Sequence, residues 1–312
     1  MLARVANNLF WMGRYIERSE HISRYLSVNY FSSLDAPNEL SQSRQFVLNS
    51  MFFMVGQPVT ETEASEEKTL FDIGLNKDNP TSIINNIRAA RENANGARDL
   101  ISTELYESIN RFYHFVLNYD PQFFVKKGLY DFTIKVTERS AILRSKIRSS
   151  LLHDQIYAII MLGINIERAT QIIRIINAKY HDSLKAKGSH GDIASSFEWS
   201  TLLKCAEAYD MMRRYYKKPP EIITTLEFLV LNPSCPRSVM NSLNQICNHM
   251  QVLDQSKYPQ KNSTSFLVGK LRAKFKFMQV EEIQEDVQGF INKILDDLFK
   301  ISKRMEEEFF NY

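Results

Sequence analysis

The amino-acid sequence predicts an all-α protein, a single multi-helix bundle of about ten helices with two pseudo-symmetric halves. Apolar residues recur at a helical period almost throughout, as in Leu9, Met12, Ile16 and Leu26. The 312 residues include only 10 Gly and 9 Pro, fewer than the turns and phosphate-binding loops of an α/β enzyme require. A segment of the first predicted helix also recurs near the middle of the chain, which indicates an internal repeat.

Start signals and polar breaks divide this pattern into elements. The first helix covers the N-terminus, and Pro80-Thr81-Ser82 is a start signal for the second. Further helices are expected over residues 103–118, 128–150, 154–180, 197–216, 220–231, 236–254, 263–278 and 280–310. Loops are expected at three polar or aperiodic stretches: Gln57–Lys68, Lys185–Ser196 and Ser256–Ser265. Because none resembles a long linker, we expect one domain over residues 1–312, with repeat halves of roughly 1–150 and 151–312.

Composition excludes several classes of partner. The 39 basic and 36 acidic side chains leave a net charge of +3, too small to indicate nucleic-acid binding. The densest basic stretch, Lys270–Lys276, is interpreted as a solvated helix face alternating with buried Leu271, Phe275 and Phe277.

Location is predicted from apolar runs and cysteines. The longest apolar run, Ile156–Ile164, is too short to span a bilayer, and the N-terminal segment is too polar for a secretory signal. The three cysteines, Cys205, Cys235 and Cys247, form no C-x-x-C pair. We therefore expect a cytoplasmic protein that does not enter a membrane, in which Cys205 is a small core residue.

The last predicted helix carries one continuous apolar stripe and a charged opposite side. The stripe consists of Val280, Ile283, Val287, Ile291, Ile294, Leu298, Ile301, Met305 and Phe309. Such a helix is expected to pack on the body of the protein or on a second subunit, which would make a homodimer.

The repeat places Glu17-Arg18 on Glu167-Arg168 and Gly13 on Gly163. Glycine inside a helix costs about 1 kcal/mol relative to alanine, so its presence twice requires a reason. We expect the two repeated helices to approach each other closely at these glycines.

Each repeated helix also carries a polar stripe. On the first helix the stripe contains Arg14, Glu17, Arg18, His21 and Arg24; on the second it contains Glu167, Arg168, Gln171 and Arg174. Because the second helix is otherwise apolar, its charges must be paired. We expect Glu17 to face Arg168 or Arg174, and Glu167 to face Arg18 or Arg24.

Two interpretations of these stripes remain open. Either the glutamates and arginines pair in salt bridges that fix the register of the two halves, or the surplus arginines bind an external carboxylate or phosphate. Arg91 and Glu92 form a second candidate cluster, and Arg237, at a predicted helix start, is a candidate anion ligand. For these residues too, the alternative is a solvated or salt-bridged face.

Motifs for catalysis or metal binding are absent from the sequence. It contains no P-loop, no G-x-G-x-x-G, no G-x-S-x-G and no H-E-x-x-H. It also lacks the Glu-x-x-His spacing of a paired-carboxylate metal bundle. We therefore expect no catalytic residue, no metal and no cofactor.

Several segments in order resemble the alpha-E family, bacterial all-helical proteins with a Glu-Arg motif. LARVANNLFWMGRYIERSE and MLGINIERATQIIRI resemble its two signature segments. Further similar segments begin at Ala90 (AREN), Trp199, Phe228 and Pro236, so the resemblance covers nearly the whole chain. One departure is Ile164, which stands where the first copy has Arg14.

The resemblance implies a bacterial protein of unestablished activity, whose relatives tend to be encoded beside ATP-grasp-type ligases and transglutaminase-like or proteasome-like peptidases. It favours a non-catalytic binding or scaffold component of a peptide-ligation or peptide-modification system, with an anionic peptide or a phosphate as ligand. The alternative is an enzyme subunit in which Glu17 or Glu167 acts as acid or base, with arginines orienting a carboxylate in amide-bond formation or cleavage.

Overall fold

The computed structural model describes residues 2–36, 39–57, 65–190, 192–256 and 258–310, with the backbone alone at 40–41, 186–190 and 192–195. These residues form fourteen helices and no strand, which confirms the all-α class with more helices than expected. The helices are α1 (Ala3–Ser32), α2 (Arg44–Val55), α3 (Glu66–Gly74), α4 (Ile83–Gly96), α5 (Thr103–Leu117), α6 (Leu129–Ser150), α7 (Gln155–His190), α8 (Asp192–Cys205), α9 (Tyr209–Tyr216), α10 (Ile222–Leu226), α11 (Val239–Leu253), α12 (Thr264–Phe277), α13 (Val280–Glu285) and α14 (Val287–Met305). Short helical turns lie at Ser33–Asp35, Glu39–Gln42, Arg98–Leu100, Pro121–Phe123, Phe124–Gly128, Glu227–Leu231 and Glu306–Phe310.

The helix count is higher because α2 and α3 were not predicted and because two predicted helices are each divided. The 197–216 prediction becomes α8 and α9, separated by a turn in which Glu207 has a φ of 55°. The 280–310 prediction becomes α13 and α14, separated at Asp286, whose side chain accepts a hydrogen bond from Gly289 N at 2.8 Å. That hydrogen bond caps the start of α14.

Two of the predicted loops need correction. The Lys185–Ser196 stretch is helical on both sides of residue 191, because lysine and alanine are good helix formers and its polarity alone does not stop a helix. Within Gln57–Lys68, residues 58–64 lie outside the described residues, and α3 begins at Glu66, capped by Ser65. The third predicted loop, Ser256–Ser265, is non-helical where it is described up to Ser263, which caps α12.

Helices α1 and α7 form the centre of the bundle and run in the same direction. Contacts between them succeed one another along both helices: Phe10 lies against Gly163, Glu17 pairs with Arg168, and Asn29 accepts a hydrogen bond from Lys179. The paired residues are close to 150 positions apart in the chain, the offset of the predicted repeat.

The two glycines allow this close packing. A Cβ at Gly13 would lie 2.5 Å from the carbonyl oxygen of Ile160, and a Cβ at Gly163 would meet the carbonyl oxygen of Phe10 even more closely. Backbone atoms cannot move aside as a flexible side chain can, so only glycine fits at either position. The predicted close approach at these glycines is confirmed.

The C-terminal helices pack on this central pair. Every residue of the predicted stripe is buried except Phe309, and Phe310 is buried in its place. A π-helical turn, Glu306–Phe310, follows α14 and shifts the register of the stripe. The Phe310 ring lies 5.3 Å from the ring of Phe10 on α1, so this helix packs on the body of the protein.

The Lys270–Lys276 stretch agrees with the sequence except at its end. Leu271 and Phe275 are buried, but the Phe277 side chain is 76% exposed. Phe277 is the last residue of α12, and the chain continues in an extended conformation at Met278.

One part of α7, Gln155–Lys185, is long and apolar enough to cross a membrane by length and composition. Its most apolar window is 83% buried inside the bundle. This burial matches its place as the central helix of the fold.

Candidate functional site

The Glu-Arg pairs of the two central helices form crossed salt bridges. Arg168 Nε donates to Glu17 Oε1 at 2.6 Å, and Arg18 Nε donates to Glu167 Oε1 at 2.6 Å. Of the alternatives that the sequence left open, Arg168 and Arg18 are the partners. Because each glutamate pairs across the helix interface, the two salt bridges fix the register of α1 against α7.

A second pair of contacts repeats one helical turn later. His21 Nε2 lies 3.2 Å from Glu17 Oε1, and Gln171 Nε2 donates to Glu167 Oε1 at 2.7 Å. His21 and Gln171 occupy equivalent positions of the predicted repeat. Each glutamate is therefore held by an arginine from the opposite helix and by a polar side chain four residues later on its own helix.

The Glu167 end of this network comprises Glu167, Arg14, Arg18, Gln171 and Ser302. Glu167 Oε2 accepts hydrogen bonds from Arg14 Nε at 2.8 Å and Arg18 Nη2 at 3.0 Å. Arg14 Nη1 also donates to Ser302 Oγ on α14 at 2.5 Å. Both oxygens of Glu167 thus accept two hydrogen bonds each, and the Glu167 end is closed.

The Glu17 end comprises Glu17, Glu20, His21, Arg24, Arg144, Arg168, Glu207 and Arg237. At its centre, Glu20 Oε1 accepts hydrogen bonds from Arg237 Nη2 at 2.9 Å, Arg24 Nη2 at 3.0 Å and Arg144 Nη2 at 3.2 Å. Glu17 Oε2, although fully buried, accepts no hydrogen bond from any described residue. Four arginines and three glutamates meet here, so this end carries a surplus positive charge.

Glu207 closes the Glu17 end toward solvent. Its carboxylate contacts Arg237 Nη2 and lies 3.1 Å from Arg24 Nη2, while its side chain is 49% exposed. Beside it lies a cavity of about 710 Å³, lined by Arg24, Lys204, Glu207, Tyr209, Asp210, Met211, Pro236 and Arg237.

Two residues that the sequence analysis selected, Arg237 and Arg174, lie in surroundings that differ from those expected. Arg237 does not sit in a separate anion site at a helix start: Ser238 caps α11, and the Arg237 side chain points into the Glu17 end. Arg174 is exposed and forms no ion pair with any described residue, so it is not one of the paired charges of the second stripe, and its role as a ligand-binding arginine stays a prediction. At this point of α7 the helix surface faces solvent, not α1.

Arg91 and Glu92 do not join the central network. Arg91 Nε donates to Asn110 Oδ1 at 2.7 Å, and its guanidinium lies over the Tyr113 ring. Glu92 is exposed and lies 3.9 Å from Arg88. These contacts match the alternative of a solvated, salt-bridged face, between α4 and α5.

Three residues of the Glu17 end were missed by sequence reasoning: Glu20, Arg144 and Glu207. Glu20 lies on the polar side of α1 beside His21, and its spacing four residues before Arg24 is a usable signal for an ion pair. Arg144 and Glu207 come from α6 and the α8–α9 turn, where no motif marks them.

The buried glutamates remain ionised. Burial alone would raise the pKa of Glu17, but Arg168 and the hydrogen bond from His21 outweigh it and hold this pKa well below its ordinary value. Arg18 and Arg14 likewise overcome burial at Glu167 and lower its pKa strongly. Burial lowers the pKa of His21 despite its contact with Glu17, so the imidazole stays neutral.

The cysteine thiol and the metal-binding side chain types give no further candidate site in the described part of the chain. The Cys205 side chain is fully buried, and burial raises the pKa of its thiol to about 12, which agrees with the predicted core role. Over the described residues, no group of three or more His, Cys, Asp and Glu side chains is placed to hold a metal ion.

A comparison with known protein families identifies the family in which these Glu-Arg pairs occur. Residues 1–310 match the family model Alpha-E, described as a predicted alpha-helical domain with a conserved ER motif. The chain belongs to the Alpha-E family. The predicted resemblance is thereby confirmed, and both copies of Glu-Arg in this Alpha-E chain lie at the crossing of its two central helices. No curated protein and no solved structure matches it.

Proposed function

We propose that this chain is a non-catalytic binding component of a bacterial peptide-ligation or peptide-modification system. In this role it works with an ATP-grasp-type ligase or a transglutaminase-like enzyme and holds an acidic peptide or a phosphate-bearing group. The partner enzymes are an inference from the family's typical gene neighbours, not from the chemistry of the site.

One observation of the site supports binding: the surplus arginines lie at the Glu17 end, beside an open cavity. Arg24 and Arg237 line that cavity, and the exposed Lys204 adds a third cation to its wall. Guanidinium groups bind carboxylates and phosphates through paired hydrogen bonds, so the cavity suits an anionic group.

The protonation of the glutamates argues against the enzymatic alternative. A general acid or base works best with a pKa near the operating pH, whereas the pKa values of both Glu17 and Glu167 are strongly lowered. Neither side chain has any exposed surface, so a substrate would have to displace the arginines to reach either carboxylate.

Binding is tested with a tri-glutamate peptide titrated into the intact chain by calorimetry at low salt, with tri-glutamine as the neutral control. We expect tri-glutamate to bind at least about tenfold more tightly, with an affinity that falls as salt is added. Equal affinities for the two peptides would overturn the proposed ligand class.

The matched variants are Arg24→Gln and Arg174→Gln, which remove the same charge from equivalent positions of the predicted repeat. Arg24→Gln should weaken tri-glutamate binding about tenfold, whereas Arg174→Gln should leave it within about twofold. Equal effects would place the binding outside the Glu17 end.

The partner is tested separately, by mixing the purified chain with the purified ATP-grasp-type ligase and transglutaminase-like enzyme of the same genome. Sedimentation velocity should show a complex with one of them. If both sediment independently of the chain at micromolar concentrations, the proposed partnership is wrong.

A further inference from the structure

Glu207 is an unusual residue for its position in the backbone, at the end of α8. It follows α8, where Ala208 N donates to Leu203 O at 2.8 Å and Glu207 N donates to Lys204 O at 3.1 Å. This pair of hydrogen bonds is the Schellman ending of a helix, whose left-handed residue is usually glycine. Glu207 holds a φ of 55° there, a conformation that strains a side chain with a Cβ.

Glu207, the residue in this left-handed conformation, is also the most exposed of the acidic residues of the Glu17 end. Arg24 and Arg237 are mostly buried, with side chains 19% and 10% exposed, yet the Glu207 side chain, whose carboxylate contacts both, is 49% exposed. Behind the two arginines, Glu20 is fully enclosed. Glu207 is therefore the one acidic member of the Glu17 end that can swing into solvent without moving a helix.

The charges of the Glu17 end also favour a carboxylate between Arg24 and Arg237. With Glu207 turned away, four arginines would face only Glu17 and Glu20, and Glu17 Oε2 already lacks a hydrogen bond from described residues. Arg24 and Arg237 would then keep only the carboxylate of Glu20, which they share with Arg144. A second carboxylate between Arg24 and Arg237, from the protein or from a ligand, therefore offsets the surplus positive charge.

We propose that the Glu207 carboxylate is an internal stand-in for a ligand carboxylate, which displaces it from Arg24 and Arg237 when a peptide binds in the adjoining cavity. This inference rests on the proposed function, because it assigns the ligand and the resting occupant of the same site. The cavity suits such a ligand: Tyr209, Met211 and Pro236 offer contacts to the apolar part of an acidic side chain, and Lys204 stands at its edge.

The displacement predicts that removing the internal carboxylate strengthens binding. A site that is closed most of the time shows an affinity reduced by the fraction of time it is open. We expect Glu207→Gln to bind tri-glutamate about tenfold more tightly than the natural chain. Glu207→Gly should do the same and stay folded, since glycine suits the left-handed backbone.

The matched control is Asp210→Asn, which removes one negative charge from the same cavity wall without touching either arginine. We expect it to change the affinity by less than about threefold. A gain equal to that of Glu207→Gln would mean that general electrostatics, not displacement, governs binding, and would overturn the proposal.

Chemical rescue gives an independent readout. Added glutarate should raise the melting temperature of Glu207→Gly more than that of the natural chain, because it refills the vacant place. Equal shifts in the two proteins would count against displacement. Inorganic phosphate is the third probe, and tighter binding of phosphate than of glutarate by Glu207→Gly would overturn the assignment of a carboxylate ligand.

The outcomes separate the two proposals. If the natural chain binds tri-glutamate and Glu207→Gln binds it no more tightly, the binding function stands and the displacement is wrong. If neither protein binds it at millimolar concentration, the binding function itself is wrong, and the displacement fails with it.

Discussion

The Glu167 end and the Glu17 end both contain a glutamate paired with an arginine of the opposite helix, but they differ in how fully their carboxylates are hydrogen-bonded. At the Glu167 end, two arginines and a glutamine hold a single carboxylate, and each of its oxygens accepts two hydrogen bonds. At the Glu17 end, four arginines share three glutamates, and the buried Glu17 Oε2 accepts no hydrogen bond from a described residue. The same motif thus lies in a closed cluster at one end and, at the other, in a cluster whose members Arg24, Glu207 and Arg237 line a cavity.

The difference between the two ends originates partly on α1 and α7 and partly on other segments. Thr170 stands on α7 where α1 has Glu20, and Arg174 is exposed where Arg24 is drawn inward. Arg144 and Arg237 then approach only the Glu17 end, from α6 and from the start of α11. The two Glu-Arg segments therefore share their pairing contacts, while the residues around them differ.

The largest expected effect is on stability at the closed end. Glu167→Gln leaves both Arg14 and Arg18 without a carboxylate, and removing one partner of a buried pair costs about 3–5 kcal/mol. Glu17→Gln should cost at least about 1 kcal/mol less, because Glu20 remains beside the arginines of that end. Urea unfolding followed by circular dichroism measures both losses; a greater loss for Glu17→Gln would reverse the comparison.

The next largest effect on stability tests the close approach of α1 and α7, which brings together the residues of both ends. Gly163→Ala places a Cβ against the Phe10 carbonyl and should destabilise the fold by about 1–3 kcal/mol. The control is Gly269→Ala on α12, where a Cβ would meet nothing within 4 Å, and a stabilisation of up to about 1 kcal/mol is expected. Thermal melts of the two variants should shift in opposite directions, and a tolerated Gly163→Ala would contradict the close crossing.

The smallest effect is the contribution of His21, at the Glu17 end, to the pH dependence of stability. Because the folded pKa of His21 lies below its ordinary 6.5, only the unfolded chain takes up a proton as the pH first falls below that value. The folded state therefore loses stability from about pH 6.5 down to the folded pKa, by at most about 1.4 kcal/mol per pH unit. His21→Gln copies Gln171 of the other end and should flatten this loss.

The control for the pH series is His114→Gln, since His114 is exposed on α5 and apart from both ends. Unfolding free energies between pH 5 and 7.5 should show a reduced slope for His21→Gln alone. If His114→Gln reduces the slope as much, the titration does not belong to the Glu17 end.

The features that the sequence predicted correctly lie within the repeated segments. The helical period, the two glycines and the crossed Glu-Arg pairs depend on residues close together on α1 and α7, so spacing on each helix was enough to place them. The sequence could also limit the partners of Glu17 and Glu167 to two arginines each.

What the sequence could not predict is set by packing between distant segments. Arg237 reaches the Glu17 end only because α11 starts against the central pair, and Glu207 only because the chain turns after Cys205. A glutamate in a left-handed conformation has no sequence signal, since the usual mark of that helix ending is glycine. The helical course of 185–190 was missed for a related reason, because polarity predicts exposure better than it predicts a break.

The parallel arrangement of α1 and α7 has a consequence for synthesis on the ribosome. At about 5–20 residues per second, α1 emerges on the order of ten seconds before the α7 segment that completes its charge pairs. During that interval Arg14, Arg18 and Glu17 lack the partners they have in the folded protein, so the N-terminal half cannot reach its final packing. Folding of the core therefore has to wait for the second half of the chain, and a nascent chain that stops short of α7 would be a natural target for chaperones or proteases.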